Sequence, residues 1–403
     1  MSIRTQRNKA LQFALAIAAT LASASTLAAP LEALPAGALS ADQKAPAYAG
    51  YYTTWTDPWF DATGKTADQV YSASQLARVP ANYSHVMIAF AQPDFSWQGI
   101  AANTWGGTGI DFSSSPQSVK AAIDVLHLRN MKVILSVGGA TYYNWAALAA
   151  EGVAGHGTIT TALTKIMTDM GFDGLDVDYE LDANIDTYAN ASKAMRNAVD
   201  AAGGGRILAV AAFSTGADCT AATTADKKCA GKTSYWGGNA GRERQLVDKY
   251  PSVAAGFDMV NVMSYDAQYL HYDGVVAWKQ YRALFKKNTI VSIGLETAPE
   301  GWAGGMLVVN NADAQCTGSR IAQDQYGKSL DQPYSVERYT SAVKKSTSPK
   351  HNARDGAMLW EITKHASQAC GSAKLATPGT IGPKVSSTFG GVADPLMAQA
   401  PWY

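Results

Sequence analysis

Charge is scarce in this 403-residue chain: Asp, Glu, Lys and Arg make up 16% of it, and 33 basic residues cancel 33 acidic ones. No basic stripe or acidic tail breaks that balance, which argues against nucleic acid or an anionic membrane as partner. The six histidines, His85, His127, His156, His271, His351 and His365, are scattered without metal-ligand spacing. The four cysteines lack a close Cys/His pair at either end, so a structural zinc site is disfavoured. No glycine-rich phosphate loop follows the first apolar strand signal, and internal repeats are lacking. Nothing in the chain calls for a cofactor or a metal.

Long apolar runs are also missing, except at the start. There Arg4, Arg7 and Lys9 precede an apolar stretch near Ala10 to Ala22, and small residues lead to a plausible cleavage after Ala28. That is the layout of a secretory signal peptide, with an apolar core short for a membrane span. The expectation is an exported protein, extracellular or periplasmic, acting as a monomer. Cysteines fit an oxidising compartment. Cys219 and Cys229 are close in sequence, leaving Cys316 to pair with Cys370, although three connectivities are formally open. The expected organisation is a signal peptide over residues 1–28 and a flexible segment over 29–46. A catalytic domain over 47–370 and a Gly/Pro/Ser-rich tail over 371–403 follow.

Within the central region, short apolar runs alternate with amphipathic stretches. Strands are predicted at Tyr48–Trp55, Ser84–Ala91, Lys132–Gly138, Phe172–Glu180, Ile207–Ser214, Met259–Tyr265, Ile290–Leu295 and Ala357–Ile362. Runs such as KVILSV suit parallel strands buried on both faces. Between them, Pro116 opens a helical stripe of Val119, Ile123 and Leu126, and further stripes follow Ile159 and Ile185. Eight such repeats predict a single (β/α)8 TIM barrel, with a doubly wound open sheet as the runner-up.

One stretch departs from the low charge. Residues 171–180, GFDGLDVDYE, alternate Asp176, Asp178 and Glu180 with Leu175, Val177 and Tyr179. On a strand this aims three carboxyls to one side, about 7 Å from one to the next. Neighbouring carboxylates resist ionising together, so the row points to chemistry. A calcium site is the rival, but the Asp-x-Asp-x-Asp-Gly loop pattern is absent. Aromatics are plentiful, with 10 Trp and 19 Tyr. Trp55, Trp59, Trp97, Trp105, Trp145, Trp236, Trp302 and Trp360 all map to the C-terminal ends of predicted strands, where barrel sites lie. They suggest a sugar-stacking cleft.

With these motifs together the chain resembles the chitinases of glycoside hydrolase family 18. The family's Asp-Gly-x-Asp-x-Asp-x-Glu signature is matched from Asp173 to Glu180, its Ser-x-Gly-Gly motif from Ser136 to Gly139, and its Met-x-Tyr-Asp motif from Met263 to Asp266. GYYTTW and HVMIAFA resemble its first two strands, and Trp360 its strand-eight tryptophan; the likeness spans roughly residues 47 to 365. It implies a substrate-assisted retaining mechanism. Glu180 would be general acid then base, Asp178 would hold the substrate's acetamido group, and Asp176 would share a proton with Asp178. Tyr265 would orient the acetamido oxygen. Tyr51, Phe90, Met263, Asp266 and Trp360 would bind the sugar. Asp173 and Gly174 would shape the strand. Tyr179 stands where many members have Trp, and the stretch after Leu295 is too short for the family's large insertion domain. The implied substrate is chitin or another N-acetylglucosamine-containing oligosaccharide, cut internally. An endo-β-N-acetylglucosaminidase acting on N-glycans and a non-catalytic chitin-binding lectin are the alternatives.

Overall fold

The computed structural model describes residues 33–181, 184–219, 241–265, 267, 272–297, 336–364 and 377–399. Eight parallel strands close into a barrel in sequence order: β1 (Tyr48–Thr53), β2 (His85–Ala91), β3 (Lys132–Gly138), β4 (Gly174–Asp178), β5 (Ile207–Ala212), β6 (Met259–Val262), β7 (Ile290–Glu296) and β8 (Gly356–Trp360). β8 returns to pair with β1, Tyr48 opposite Ala357. The (β/α)8 expectation holds. Each strand alternates between an inner and an outer layer. The inner layer is built of small and slender side chains, among them Ala49, Ala89, Ala209, Ala211, Met87, Met259 and Met358, which fill a narrow barrel.

The outer layer meets helices. These are α1 (Ala67–Ala73), α2 (Pro116–Leu128), α3 (Ala146–Ala154), α4 (Thr158–Met170) and α5 (Ile185–Ala202), then α6 (Arg242–Lys249), α7 (Pro251–Ala254), α8 (Gly274–Leu284), α9 (Val336–Lys344) and α10 (Pro378–Phe389). α2 starts where the sequence says it should. Ser115 accepts from the Ser118 N–H as cap, Pro116 takes the first position, and Val119, Ile123 and Leu126 are buried. α4 and α5 bury the stripes read from Ile159 and Ile185 in the same way, including Leu163, Ile166, Tyr188 and Met195.

Two segments are more ordered than their composition suggests. Part of the 29–46 stretch is pinned beneath the barrel: Ala41 N–H donates to Arg129 O at 2.8 Å, and Gln43 donates to Ser84 O and Asn130 O. The 371–403 tail contains α10, capped by Thr377 and stopped by Gly390 at φ 75°. Ile381, Val385 and Phe389 are its buried face, and Lys384 pairs with Glu337 of α9. Gly379, Gly382 and Pro383 obscure that face in the sequence, whereas packing on α9 supplies what intrinsic propensity lacks. No helix among the described residues is long and apolar enough to cross a membrane. The stretch after β7, residues 298–335, and the signal-peptide region lie outside the described residues.

Candidate active site

β4 sets the site because its two faces differ. Leu175, Val177 and the following Tyr179 belong to the helix-facing core, so Asp176 and Asp178 face the barrel axis, 0% and 3% exposed. Glu180 stands two residues past the strand and is exposed at the mouth. Asp176 Oδ2 accepts from Tyr51 Oη at 2.9 Å and from Ser136 Oγ at 2.7 Å. Burial nevertheless pushes the Asp176 pKa up to about 6. Burial, then the charges of Glu180 and Asp176, hold Asp178 well above the usual carboxylate range, with Arg242 opposing them. Oδ1 of Asp176 and Oδ1 of Asp178 are both buried with no protein hydrogen-bond partner. The carboxyls of such a row resist ionising all at once.

Glu180 sits in a mixed environment. Its side chain meets solvent from above, while protein below and beside it desolvates the carboxyl and raises its pKa; Arg242 and the Ala140 N–H pull the other way. A raised pKa at an open mouth is what an acid needs to give a proton to a substrate oxygen and then recover one. Tyr51 is held well above the ordinary phenol range by burial and then by Asp176, so it donates to Asp176 throughout the working pH range.

Aromatic rings form a floor beside the acids. Phe90 stacks on Trp360 at 5.6 Å between centroids, and the Trp360 ring stands edge-on to Tyr51 at 5.7 Å. Trp55, 51% exposed, stacks on Phe90 at 6.2 Å and extends the surface toward solvent. Met263 and Tyr265, just past β6, pack on the same inner cluster, and Tyr265 Oη donates to Met358 Sδ at 3.7 Å. The Ala89–Phe90 and Trp360–Glu361 peptide bonds are both cis. Close approach explains two glycines. A Cβ on Gly138 (φ 118°) would meet Asp178 O at 2.0 Å, and one on Gly139 (φ 88°) would meet the Phe90 ring at 2.9 Å. Gly139 N–H in turn donates to Asp178 O at 2.9 Å, tying β3 to the acid strand.

The sequence model of the glycosyl hydrolases family 18 matches residues 47–364. The chain belongs to that family. Among curated family-like relatives, it is 30% identical over 140 residues to Endochitinase 1 of Metarhizium robertsii, covering 33% of this chain and 27% of that protein. It is 29% identical over 108 residues to Exochitinase 1 of Streptomyces olivaceoviridis, covering 27% of this chain and 17% of that one. The chain thus spans well under two thirds of the curated relatives it matches. Among solved structures, a chitinase from Bacteroides thetaiotaomicron superposes with a TM-score of 0.49 at 14% identity, over 85% of this chain and 96% of that one. A family 18 N-acetylglucosaminidase from Paenibacillus barengoltzii gives 0.48 at 16% identity, over 85% and 99%.

In this family 18 chain, Asp176, Asp178, Glu180, Tyr51, Phe90, Met263, Tyr265 and Trp360 gather at the C-terminal end of the barrel. Asp266 lies outside the described residues, as do Trp236, Trp302, Cys229, Cys316 and Cys370. No cysteine among the described residues is free. Among the described residues no three His, Cys, Asp or Glu converge as metal ligands. The tryptophans divide. Trp55, Trp59 and Trp360 reach the surface, but Trp97 and Trp145 are buried beneath loops, donating to Asp169 and Tyr142 O. Asp173 sits at the opposite end, accepting from Lys132, Val133 N–H and the His127 ring, and shapes the strand as expected. Sequence reasoning passed over Glu296, buried at the end of β7 opposite Trp360, although a polar end to an apolar strand is the signal that marked Glu180. It also passed over Arg242 and Glu243, which no motif announces.

Proposed function

We propose that this protein is a chitinase that cleaves β-1,4 bonds between N-acetylglucosamine residues inside the chain, with retention of configuration. One observation carries the reading: Asp176, Asp178 and Glu180 rise in order from buried to exposed along one face of β4, beside a stacked Phe90–Trp360 floor. The bottom carboxyl is hydrogen-bonded and holds a proton up to about pH 6, and the middle one is desolvated between two acids. The outer one reaches the mouth. Glu180 protonates the glycosidic oxygen. The sugar's own acetamido oxygen attacks the anomeric carbon, closing an oxazolinium ring as the bond to the leaving sugar breaks. Asp178, taking a share of the proton held with Asp176, accepts from the acetamido N–H and balances the ring's positive charge. Tyr265 donates to the acetamido oxygen and orients it. Glu180 then takes a proton from water as that water opens the ring.

The chitinase names of the curated relatives support this substrate class, within the stretches they share. Internal cutting is favoured because only about 40 residues separate Leu295 from α9 at Val336, too few in sequence for the large insertion domain. The presence of Glu180 favours an enzyme over a lectin, and Asp266 in the sequence favours chitin over an N-glycan core. The Arg/Lys start, apolar stretch and Ala28 favour export before action. The test is one side-by-side assay on chitin hexaose and a high-mannose glycopeptide. Cleavage of the first alone is expected; cleavage of the glycopeptide alone would transfer the site to N-glycans.

A further inference from the structure

Arg242 opens α6, 63 residues beyond Tyr179 in sequence, and meets the acid row from behind. One guanidinium nitrogen, Nη1, donates to Tyr179 O, the carbonyl of the residue lying between Asp178 and Glu180. The other two, Nε and Nη2, donate to Glu243 Oε1 at 2.8 and 2.6 Å. The guanidinium plane is caged by rings, with its carbon 4.9 Å from the Tyr188 centroid, 5.4 Å from Phe213 and 5.9 Å from Tyr179. Glu243, 1% exposed at its side chain, is itself fixed. Tyr281 Oη donates to its Oε2 at 2.9 Å, Phe213 N–H to its Oε1 at 3.3 Å, and Tyr188 Oη lies 3.4 Å from Oε1. The cation therefore cannot relax away from the acids without breaking a network drawn from α5, α6, α8 and the end of β5.

We propose that Arg242 is the positioning residue of the acid row, its guanidinium holding the turn that carries Glu180 and placing a fixed positive charge behind Asp178 and Glu180. The inference rests on the chitinase reading for its kinetic part only. The geometry needs a planar fork: a lysine could pair with Glu243, but one ammonium cannot also stack among three rings and reach Tyr179 O. The titratable and charged groups facing Arg242 are Asp178 at the end of β4, Glu180 beyond it, Tyr179, Tyr188 from α5, Glu243 beside it and Tyr281 from α8. Burial raises both carboxyls of the row, Asp178 and Glu180, and the charge of Arg242 pulls both of them downward. Removing the charge must therefore move them upward.

Three folded variants separate position from charge. Arg242→Lys keeps the charge and loses the fork, so kcat on chitin hexaose should fall about tenfold or more with KM within about twofold, while the pH optimum stays. Arg242→Gln should lower kcat further and move both limbs of the pH–rate profile to higher pH by about one unit. Arg242→Gln with Glu243→Gln leaves no lone buried charge and should show a smaller shift in the same direction, because the nearer cation outweighs the anion lost with it, even if the single variant is unstable. The second readout needs no turnover. Carbon-13 NMR of the Glu180 carboxyl, assigned against Glu180→Gln, should titrate higher in both Gln variants and unchanged in Arg242→Lys. An unmoved Glu180 titration in a folded Gln variant, or wild-type kcat in Arg242→Lys, overturns the inference. An inactive wild type with a shifted titration would instead sink the chitinase reading and leave the electrostatic role standing.

Discussion

At the residue scale, Asp176, Asp178 and Glu180 are chemically identical groups given different tasks by depth. Asp176 is fully buried and accepts two hydrogen bonds, Asp178 is buried among like charges, and Glu180 opens to solvent. Only Glu180 can reach a glycosidic oxygen outside the barrel. Glu180→Gln should therefore lower turnover at least about a hundredfold, the usual contribution of a general acid. Binding of chitin oligomers, read by tryptophan fluorescence, should survive because the Phe90–Trp360 floor is untouched. Near-wild-type turnover in the purified variant would remove Glu180 from its role. The row was legible because period-two alternation leaves only one way to bury Leu175 and Val177. Arg242 was not, because it reaches the row through a backbone carbonyl, and a carbonyl at Tyr179 leaves no mark on residue types.

At the element scale, β4 must lie flat against its neighbours for the row to point inward. Gly174 makes that possible: a Cβ there would meet Ile207 O of β5 at 2.0 Å, backbone against backbone. Gly174→Ala should destabilise the fold by about 1–3 kcal/mol or more, as overpacking does, and lower kcat as well, since Asp176 and Asp178 follow on the same strand. A melting temperature and kcat both equal to wild type would show that β4 and β5 have room to spare. Strand positions were readable from continuous apolar runs, whereas strand ends were not. β4 ends at Asp178 and β6 at Val262, leaving Glu180, Met263 and Tyr265 on turns. α10 escaped because helix stability there comes from burying Ile381, Val385 and Phe389, not from propensity. The tryptophan pattern misled in part because position at a strand end does not say whether a ring faces the cleft or, like Trp145, the loop beneath it.

At the scale of the whole molecule, the catalytic end is carried on a bottom that is sealed. Arg129, fully buried, donates to Leu39 O and Ala77 O and lies 3.6 Å from Asp394, joining the N-terminal segment to the stretch after α10. His85 is buried at the same end with Nδ1 2.8 Å from Ser84 Oγ, and burial, then Arg354, lowers its pKa to about 3. The unfolded chain protonates this histidine near 6.5 while the folded one does not. Between pH 6.5 and about 3 the unfolded state thus binds more protons, and His85 costs stability as the pH falls, by about 1.4 kcal/mol per pH unit. Asp176 and Asp57, raised by burial to about 6 and about 7, act in the opposite sense over the upper part of that window. Urea unfolding of wild type and His85→Asn from pH 7 to pH 4 isolates the histidine. The variant should lose less stability on acidification, and parallel curves would show that His85 is protonated in the fold.

The central claim, that the substrate's own acetamido group does the work of a nucleophile above Asp178, is tested most directly by the configuration of the first product. Proton NMR of chitin hexaose, recorded within the first turnovers and before mutarotation, reads the anomeric signal of the newly formed reducing end. Attack by the acetamido oxygen followed by water inverts the centre twice, so the account predicts the β-anomer first, with no cleavage of fully deacetylated chitosan. The α-anomer appearing first, or chitosan cut as fast as chitin, would contradict it.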